Sequence, residues 1–254
     1  MNASVNSNHN KPDYGIDAPG FQRFARYSGV ASVVVGRLLA EHGVMYSLAW
    51  YQRIGTALMW AGVAFFIVGS LMYLGSRVGK LYLRNRILNS IAWRGDEQVL
   101  DIGCGHGLML LGAAKHLTSG RAVGIDIWSQ VDQQNNSSEA TMENARLEGV
   151  AERVEVKNAD ARELPFPENS FDVVVSTLAI HNISEAAGRE TAMREIARVL
   201  KPGGQLALAD IRYTKRYEEI LRSLGWKQTE RWSRSFIFVT PTRVLRATKP
   251  ETHA

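Results

Sequence analysis

Cysteine is almost absent: 254 residues hold one, Cys104, which excludes an internal disulfide framework and any metal cluster built from cysteines alone. The six histidines, His9, His42, His106, His116, His181 and His253, show no paired ligand spacing, so no metal is expected. No G-x-x-x-x-G-K-[ST] run occurs, which excludes a P-loop, and the dinucleotide pattern G-x-G-x-x-G fails because Leu108 stands at the sixth position from Gly103. The N-terminus lacks a basic stretch leading directly into an apolar run and does not read as a signal peptide. No internal repeat or low-complexity segment breaks the chain.

Acidic residues are outnumbered, and the net charge is +5. The excess gathers in two places: Arg77, Lys80, Arg84 and Arg86, with no acid until Asp96, and the tail from Arg212 to Lys249. In the tail Trp226, Trp232, Phe236 and Phe238 interleave with Arg and Lys, a pattern that nucleic-acid binders share. The same segment also reads as the strands "FIFVT" and "RVLRAT" beside a solvated helix face, which argues against nucleic acid as a partner.

Three regions are expected along the chain. Residues 1–20 are rich in Asn, Ser, Pro and Gly without apolar period, cannot repay the entropy of ordering, and read as mobile. Residues 21–75 form a membrane-associated segment. Within it Ile54 to Gly75 carries no charged residue and is long enough, as a helix, to cross about 30 Å of hydrocarbon. The apolar stretch before it holds Arg37 and Glu41 and fits a second span or an interfacial helix equally. The basic cluster just beyond the span places the following domain, residues 76–254, in the cytoplasm.

That third region alternates strand and helix. "QVLDIG", "RAVGIDI", "VEVKNAD", "FDVVVST" and "GGQLALAD" read as strands separated by helical patterns, which predicts a parallel sheet covered on both faces. In "LDIGCGHG" Gly103, Gly105 and Gly107 follow the first strand and precede a helix, at the carboxyl edge where such sheets bind ligands. Asp126 closes the second strand, where a carboxylate accepts both hydroxyls of a ribose, and Asp160 closes the third, within reach of an adenine amino group. With no phosphate-binding signature, these point to a nucleoside ligand. Lys201 to Gly204 read as a helix stop and a turn.

Together "VLDIGCGHG", "GIDI", "NADARELPFPENSFDVVVSTLAIHNI" and "IARVLKPGGQLALAD" resemble the class I S-adenosylmethionine-dependent methyltransferases, over Gln98 to Lys249. The resemblance implies a Rossmann-like α/β sheet, mostly parallel with its last strand antiparallel, here with an N-terminal transmembrane helical extension. It implies that the loop from Asp101 through Gly103, Cys104, Gly105 and His106 to Gly107 contacts the methionine part of S-adenosyl-L-methionine. Asp126 then holds the ribose, Asp160 with Ala161 the adenine, and Ile127 and Trp128 pack beside that ring. Cys104 reads as a small buried loop residue rather than a nucleophile.

At the end of the fourth strand Thr177 lies close to the cofactor, with His181 and Asn182 further out toward the acceptor. His181 is the candidate general base near neutral pH; a histidine satisfied at a helix start is the alternative. The strand-four end reads Ser176, Thr177, Leu178, Ala179, not the [ND]-P-P-[YF] of base-amino methylation, and arsenite methylation needs more cysteines. No lid is inserted after Asp210, so the N-terminal part is left to shield the acceptor. This suggests an apolar small molecule arriving from the bilayer; similar anchored methyltransferases act on lipids, quinones or hydrophobic thiols. Two other readings compete: a non-catalytic membrane scaffold that senses the cofactor, and a nucleotide-dependent oxidoreductase.

Overall fold

A computed structural model describes residues 11–16, 18–129, 136–238 and 240–251. Its centre is a sheet in which β1 (Gln98–Ile102) lies between β2 (Arg121–Asp126) and β4 (Phe171–Thr177), parallel to both. β3 (Val154–Asn158) extends the parallel set beyond β2, and β5 (Leu200–Asp210) extends it beyond β4. β8 (Thr240–Thr248) then runs antiparallel along β5, with β6 (Gln228–Arg231) and β7 (Ser235–Phe238) pairing to β8. The strand order is 3-2-1-4-5-8-6, the Rossmann-like sheet with antiparallel closing strands that the sequence predicts.

The period-two alternation of the strands divides the core in two. Val99, Val173 and Val175 point to one face, with α4 (Leu108–Ala114) and α3 (Lys80–Leu88) packed on it. Leu100, Ile102 and Val174 point to the other, under α6 (Ala186–Val199) and α7 (Thr214–Ser223). Leu83 and Ile87 of α3 are essentially fully buried, so the sheet domain begins before its first strand.

Ahead of that domain stand two long helices, α1 (Pro19–Met45) and α2 (Ala49–Leu74). They form an antiparallel hairpin whose seam is made of glycines at heptad spacing: Gly29, Gly36 and Gly43 on α1, Gly55, Gly62 and Gly69 on α2. A Cβ on Gly29 would lie 2.7 Å from the Gly62 carbonyl oxygen, and one on Gly62 would lie 2.6 Å from the Gly29 oxygen. Gly36 and Gly55 face each other in the same way. Only hydrogen fits at these positions. A single π-helical turn, Gly75–Gly79, joins α2 to α3. The resulting rod, Ala49–Leu88, contains an 18-residue stretch with a mean hydropathy of 2.0 and is the one helix among the described residues long and apolar enough to cross a membrane by length and composition.

The apolar stretch before Ile54, read as a second span or an interfacial helix, is α1, which packs along one side of the charge-free run. Two expectations need correction. Of the residues read as mobile, 1–10 and 17 lie outside the described set, but 11–16 are packed against the sheet domain. Tyr14 is 7% exposed, and its hydroxyl donates to Glu148 Oε1 at 2.5 Å. Lys201 to Gly204 are not a free turn: β5 already starts at Leu200, paired to Phe171, and takes these residues in through an irregular register with Gly203 at φ 73.

The seam gives a test. Gly62→Val should destabilise the hairpin by about 1 to 3 kcal/mol or more, because its neighbours are backbone and cannot repack. Gly20→Ala, at the start of α1 with open space around it, should leave stability unchanged or raise it by up to about 1 kcal/mol. Thermal unfolding by circular dichroism in detergent compares them; equal melting temperatures would contradict the seam.

Candidate functional site

Because β1 to β5 are parallel, their carboxyl ends open on one side, into a cavity of about 800 Å³. The glycine loop forms its floor. Gly103, Gly105 and Gly107 all have positive φ, at 70°, 49° and 86°, a region that side chains disfavour. Gly103 is further restricted because a Cβ there would strike the Cβ of Ala179. Gly107 does not line the cavity; it turns the chain into α4 with Leu111 and Thr141 close by. The glycines therefore answer first to backbone conformation and internal packing, and only then to room for a ligand.

Asp101 lies under the loop, 1% exposed, and its Oδ2 accepts from the Leu110 amide at 2.8 Å, tying β1 to the start of α4. Burial pushes its pKa up to about 8, opposed by that amide hydrogen bond and helped by the nearby charge of Asp126. Cys104 is buried beside it as a free thiol, its pKa pushed well up by burial, which suits a packing role and not a nucleophile.

Asp126, at the end of β2, is fixed by the backbone: Oδ2 accepts from the Gly105 amide at 2.9 Å and Oδ1 from the Trp128 amide at 2.7 Å. Oδ1 also accepts from the Asn136 side-chain amide at 3.2 Å, whereas Oδ2 keeps a further lone pair. Ile127 beside it is 64% exposed on the cavity rim. Trp128 turns away at φ 57 and packs on the core instead of lining the cavity. Asp160 reaches the rim with Ala161. Its carboxylate is gripped by the Arg162 guanidinium, with Nη2 to Oδ2 at 2.6 Å, which lowers its pKa.

Thr177, the last residue of β4, lines the same cavity. Its Oγ1 is buried and, among the described residues, has no hydrogen-bond partner. Beyond it a short 3-10 turn, Ile180–Asn182, carries His181. Its Nδ1 lies 2.5 Å from Oδ1 of Asp210, and its backbone amide donates to Oδ2 at 3.1 Å. Asp210 ends β5, is 1% exposed, and also accepts from the Ile211 amide at 2.8 Å. The ring sits close to the carboxylate without hydrogen-bond alignment at Nδ1; a proton held on Nδ1 leaves Nε2 as the basic nitrogen. His181 is thus held by a buried carboxylate from the neighbouring strand rather than capping the following helix.

The far wall comes from the N-terminal part. Ala18, Met72, Ser76 and Lys80 line the cavity. Lys80 Nζ donates to the carbonyls of Tyr14 at 2.7 Å and Gly15 at 2.6 Å. Asn144 accepts from the Asp13 amide at 2.9 Å and donates to the His106 carbonyl at 3.0 Å. His106 Nδ1 meets the Asp13 carbonyl at 3.1 Å. Since a carbonyl only accepts, that nitrogen carries the proton. Residues 13–15 are therefore clamped over the glycine loop.

Every predicted site residue except Gly107 and Trp128 lines this one cavity. Sequence reasoning missed Asp210, Asn144, Lys80 and the segment around Tyr14. Asp210 had a signal: like Asp126 it closes an apolar parallel strand. The others act across 38 to 134 positions of sequence and had none.

Residues 100–208 match the methyltransferase domain family. The chain is 36% identical over 129 residues to the 27-O-demethylrifamycin SV methyltransferase of Amycolatopsis mediterranei (strain S699), covering 50% of this chain and 43% of that protein. It is 32% identical over 124 residues to the demethylmenaquinone methyltransferase of Staphylococcus aureus (strain MRSA252), covering 48% and 46%. The chain thus spans less than half the length of the curated relatives it matches. The fold superposes on a SAM dependent methyltransferase from Aquifex aeolicus with a TM-score of 0.55 at 20% identity, covering 71% of this chain and 97% of that one. Over residues 100–208 the sheet domain is thus similar to methyltransferase domains, and it shares its fold with the Aquifex aeolicus protein.

Proposed function

We propose that this chain transfers a methyl group from S-adenosyl-L-methionine to a small apolar acceptor drawn from a membrane, with its methyltransferase domain on the cytoplasmic side. One observation carries the reading: a single cavity joins the nucleoside-binding strand ends, the His181–Asp210 pair and the foot of the apolar hairpin. The names of the rifamycin and menaquinone relatives support a small-molecule acceptor. The acceptor atom is an O, S, N or C nucleophile.

The residues present fit the donor. Asp126 keeps a lone pair on Oδ2 for a ribose hydroxyl, Ile127 offers an open apolar face beside Asp160 and Ala161 for the adenine, and Asp101 supplies a carboxyl below the loop that a cation would ionise. Thr177 brings a hydroxyl that no described group satisfies. When bound, S-adenosylmethionine supplies a methyl group already activated on a sulfonium.

The chain's own work is alignment, exclusion of water and proton removal. His181 Nε2 takes the acceptor's proton, and Asp210 keeps the ring oriented and stabilises the imidazolium that results. Met72 and Ala18 offer apolar surface to the acceptor body.

Three outcomes test this. Asp126→Ala should weaken donor binding by about 1 to 3 kcal/mol, since a buried hydrogen-bond partner is lost; unchanged affinity by calorimetry would refute the ribose assignment. His181→Ala should slow single-turnover transfer to a hydroxyl or amine acceptor by about a hundredfold or more. Asp210→Asn should slow it in the same direction, and both variants should keep their donor affinity and melting temperature. A folded, fully active His181→Ala protein would remove the base.

The third outcome concerns protons. With the donor-free pKa of Asp101 raised to about 8, the folded protein holds a proton that the unfolded chain releases. Stability therefore declines as pH rises from the ordinary carboxylate range toward 8. A cationic ligand beside Asp101 favours the ionised carboxylate, so donor binding at about pH 6.5 should expel a proton. Calorimetry in buffers of different protonation enthalpy reads this directly, and Asp101→Asn should abolish it.

A further inference from the structure

The hairpin carries information about topology that the charge-free run alone does not. α1 is layered along its length. At its base Arg26 packs beside Gly69, and the guanidinium of Arg26 lies 5.0 Å, and that of Arg77 5.8 Å, from the ring centre of Tyr73. Arg23 stands exposed at the same end. From Arg26 to Met45 the helix rises about 28 Å, close to the thickness of a bilayer's hydrocarbon. At the tip, the rings of His42 and Tyr46 lie 4.5 Å apart and those of Trp50 and Tyr51 4.0 Å apart, an aromatic group of the kind that sits at a membrane interface.

Between base and tip the outward surface is apolar. Val30, Val34, Val35, Trp60, Phe65 and Phe66 are all exposed, from 44% to 70%. The charges in this zone gather in its distal part: Arg37 and Glu41 pair with each other at 2.8 Å, and Arg53 lies within a turn or so of the end of the hairpin. Long side chains so placed reach the far headgroup layer. The inner faces are already filled by the glycine seam, so the exposed apolar surface is not waiting for another part of this chain.

The other end is fixed independently. Residues 13–15, which precede α1, are hydrogen-bonded to Lys80, Asn144 and His106 of the sheet domain. The start of the hairpin and the catalytic domain must therefore share one side of any membrane.

We propose that α1 and α2 cross a lipid bilayer together as a helical hairpin, with both chain ends and the methyltransferase domain on one face and the 45–49 connection at the opposite headgroups. The inference rests on the membrane reading above and replaces a single span by a paired one. The basic residues at the foot, Arg23, Arg26 and Arg77, then lie in the near headgroup layer.

Thiol accessibility tests it in the full chain. Cys104 is buried, so the parent protein gives the background. Lys11→Cys, Ser47→Cys and Glu251→Cys each add one exposed position: near the N-terminus, at the hairpin tip and near the C-terminus. In sealed membrane vesicles with the catalytic domain outward, a membrane-impermeant maleimide should label the Lys11 and Glu251 variants at once and the Ser47 variant only after detergent. Labelling of Lys11 and Glu251 from opposite faces would overturn the hairpin while leaving membrane association intact. Labelling of all three from the same face would overturn the crossing. Recovery of the protein from a carbonate wash, including as a soluble oligomer with hairpins covering one another, would overturn the membrane reading itself.

Discussion

The site depends on one constraint of the sheet: β1 is hydrogen-bonded on both sides to strands that run the same way. Parallel neighbours bring their carboxyl ends to a common edge, and the chain must leave each strand there through a loop. All five of those ends carry a polar residue close to the last ladder position, namely Asp101, Asp126, Asn158, Thr177 and Asp210. The central strands β1 and β4 are buried on both faces largely by apolar side chains, so polar chemistry concentrates where the sheet stops.

The carboxylates differ because their surroundings differ. Asp101 is enclosed and reaches one amide, so burial dominates and its pKa rises. Asp160 is open and gripped by Arg162, so its pKa falls. Asp126 receives two backbone amides and stays at the cavity wall. Asp210 is as buried as Asp101 but meets the ring of His181. On the proposed function each then has a distinct role: a proton released when a cation arrives, a rim charge partly neutralised in advance, an oriented acceptor for hydroxyls, and a support for a base.

Much of this could be read from the sequence because it is local. The alternation of strand and helix, the glycine loop at the end of β1 and the strand-terminal aspartates are written within short windows. Trp128 departs from its expected place because strand order alone does not say that the chain turns to φ 57 just past Asp126, which lays the half-buried indole against the core. Residues 11–16 looked unable to order themselves, and by their own composition they are; their order comes from Lys80, Asn144 and Glu148, far along the chain. The hairpin was half legible. Gly62 and Gly69 stand within the charge-free run, but their meaning lies in their spacing of seven and in the matching series Gly29, Gly36 and Gly43, which only a partner helix turns into a seam.

Glycine thus serves two opposite ends in one chain. In the loop after β1 it permits a backbone that side chains resist, while along α1 and α2 the backbone is ordinary and the missing side chain lets two helices touch. The second use fixes the first site's far wall. Because the seam leaves α2 little freedom to slide, and because α2 runs through the π-turn into α3, the rod transmits the hairpin's position to the sheet domain. Ser76 and Lys80 fall at that turn and face the cavity, and π-turns alter the phase of a helix where a site requires it. A change that shifted α1 against α2 would therefore be felt at the clamp over His106, although no residue of the seam touches it.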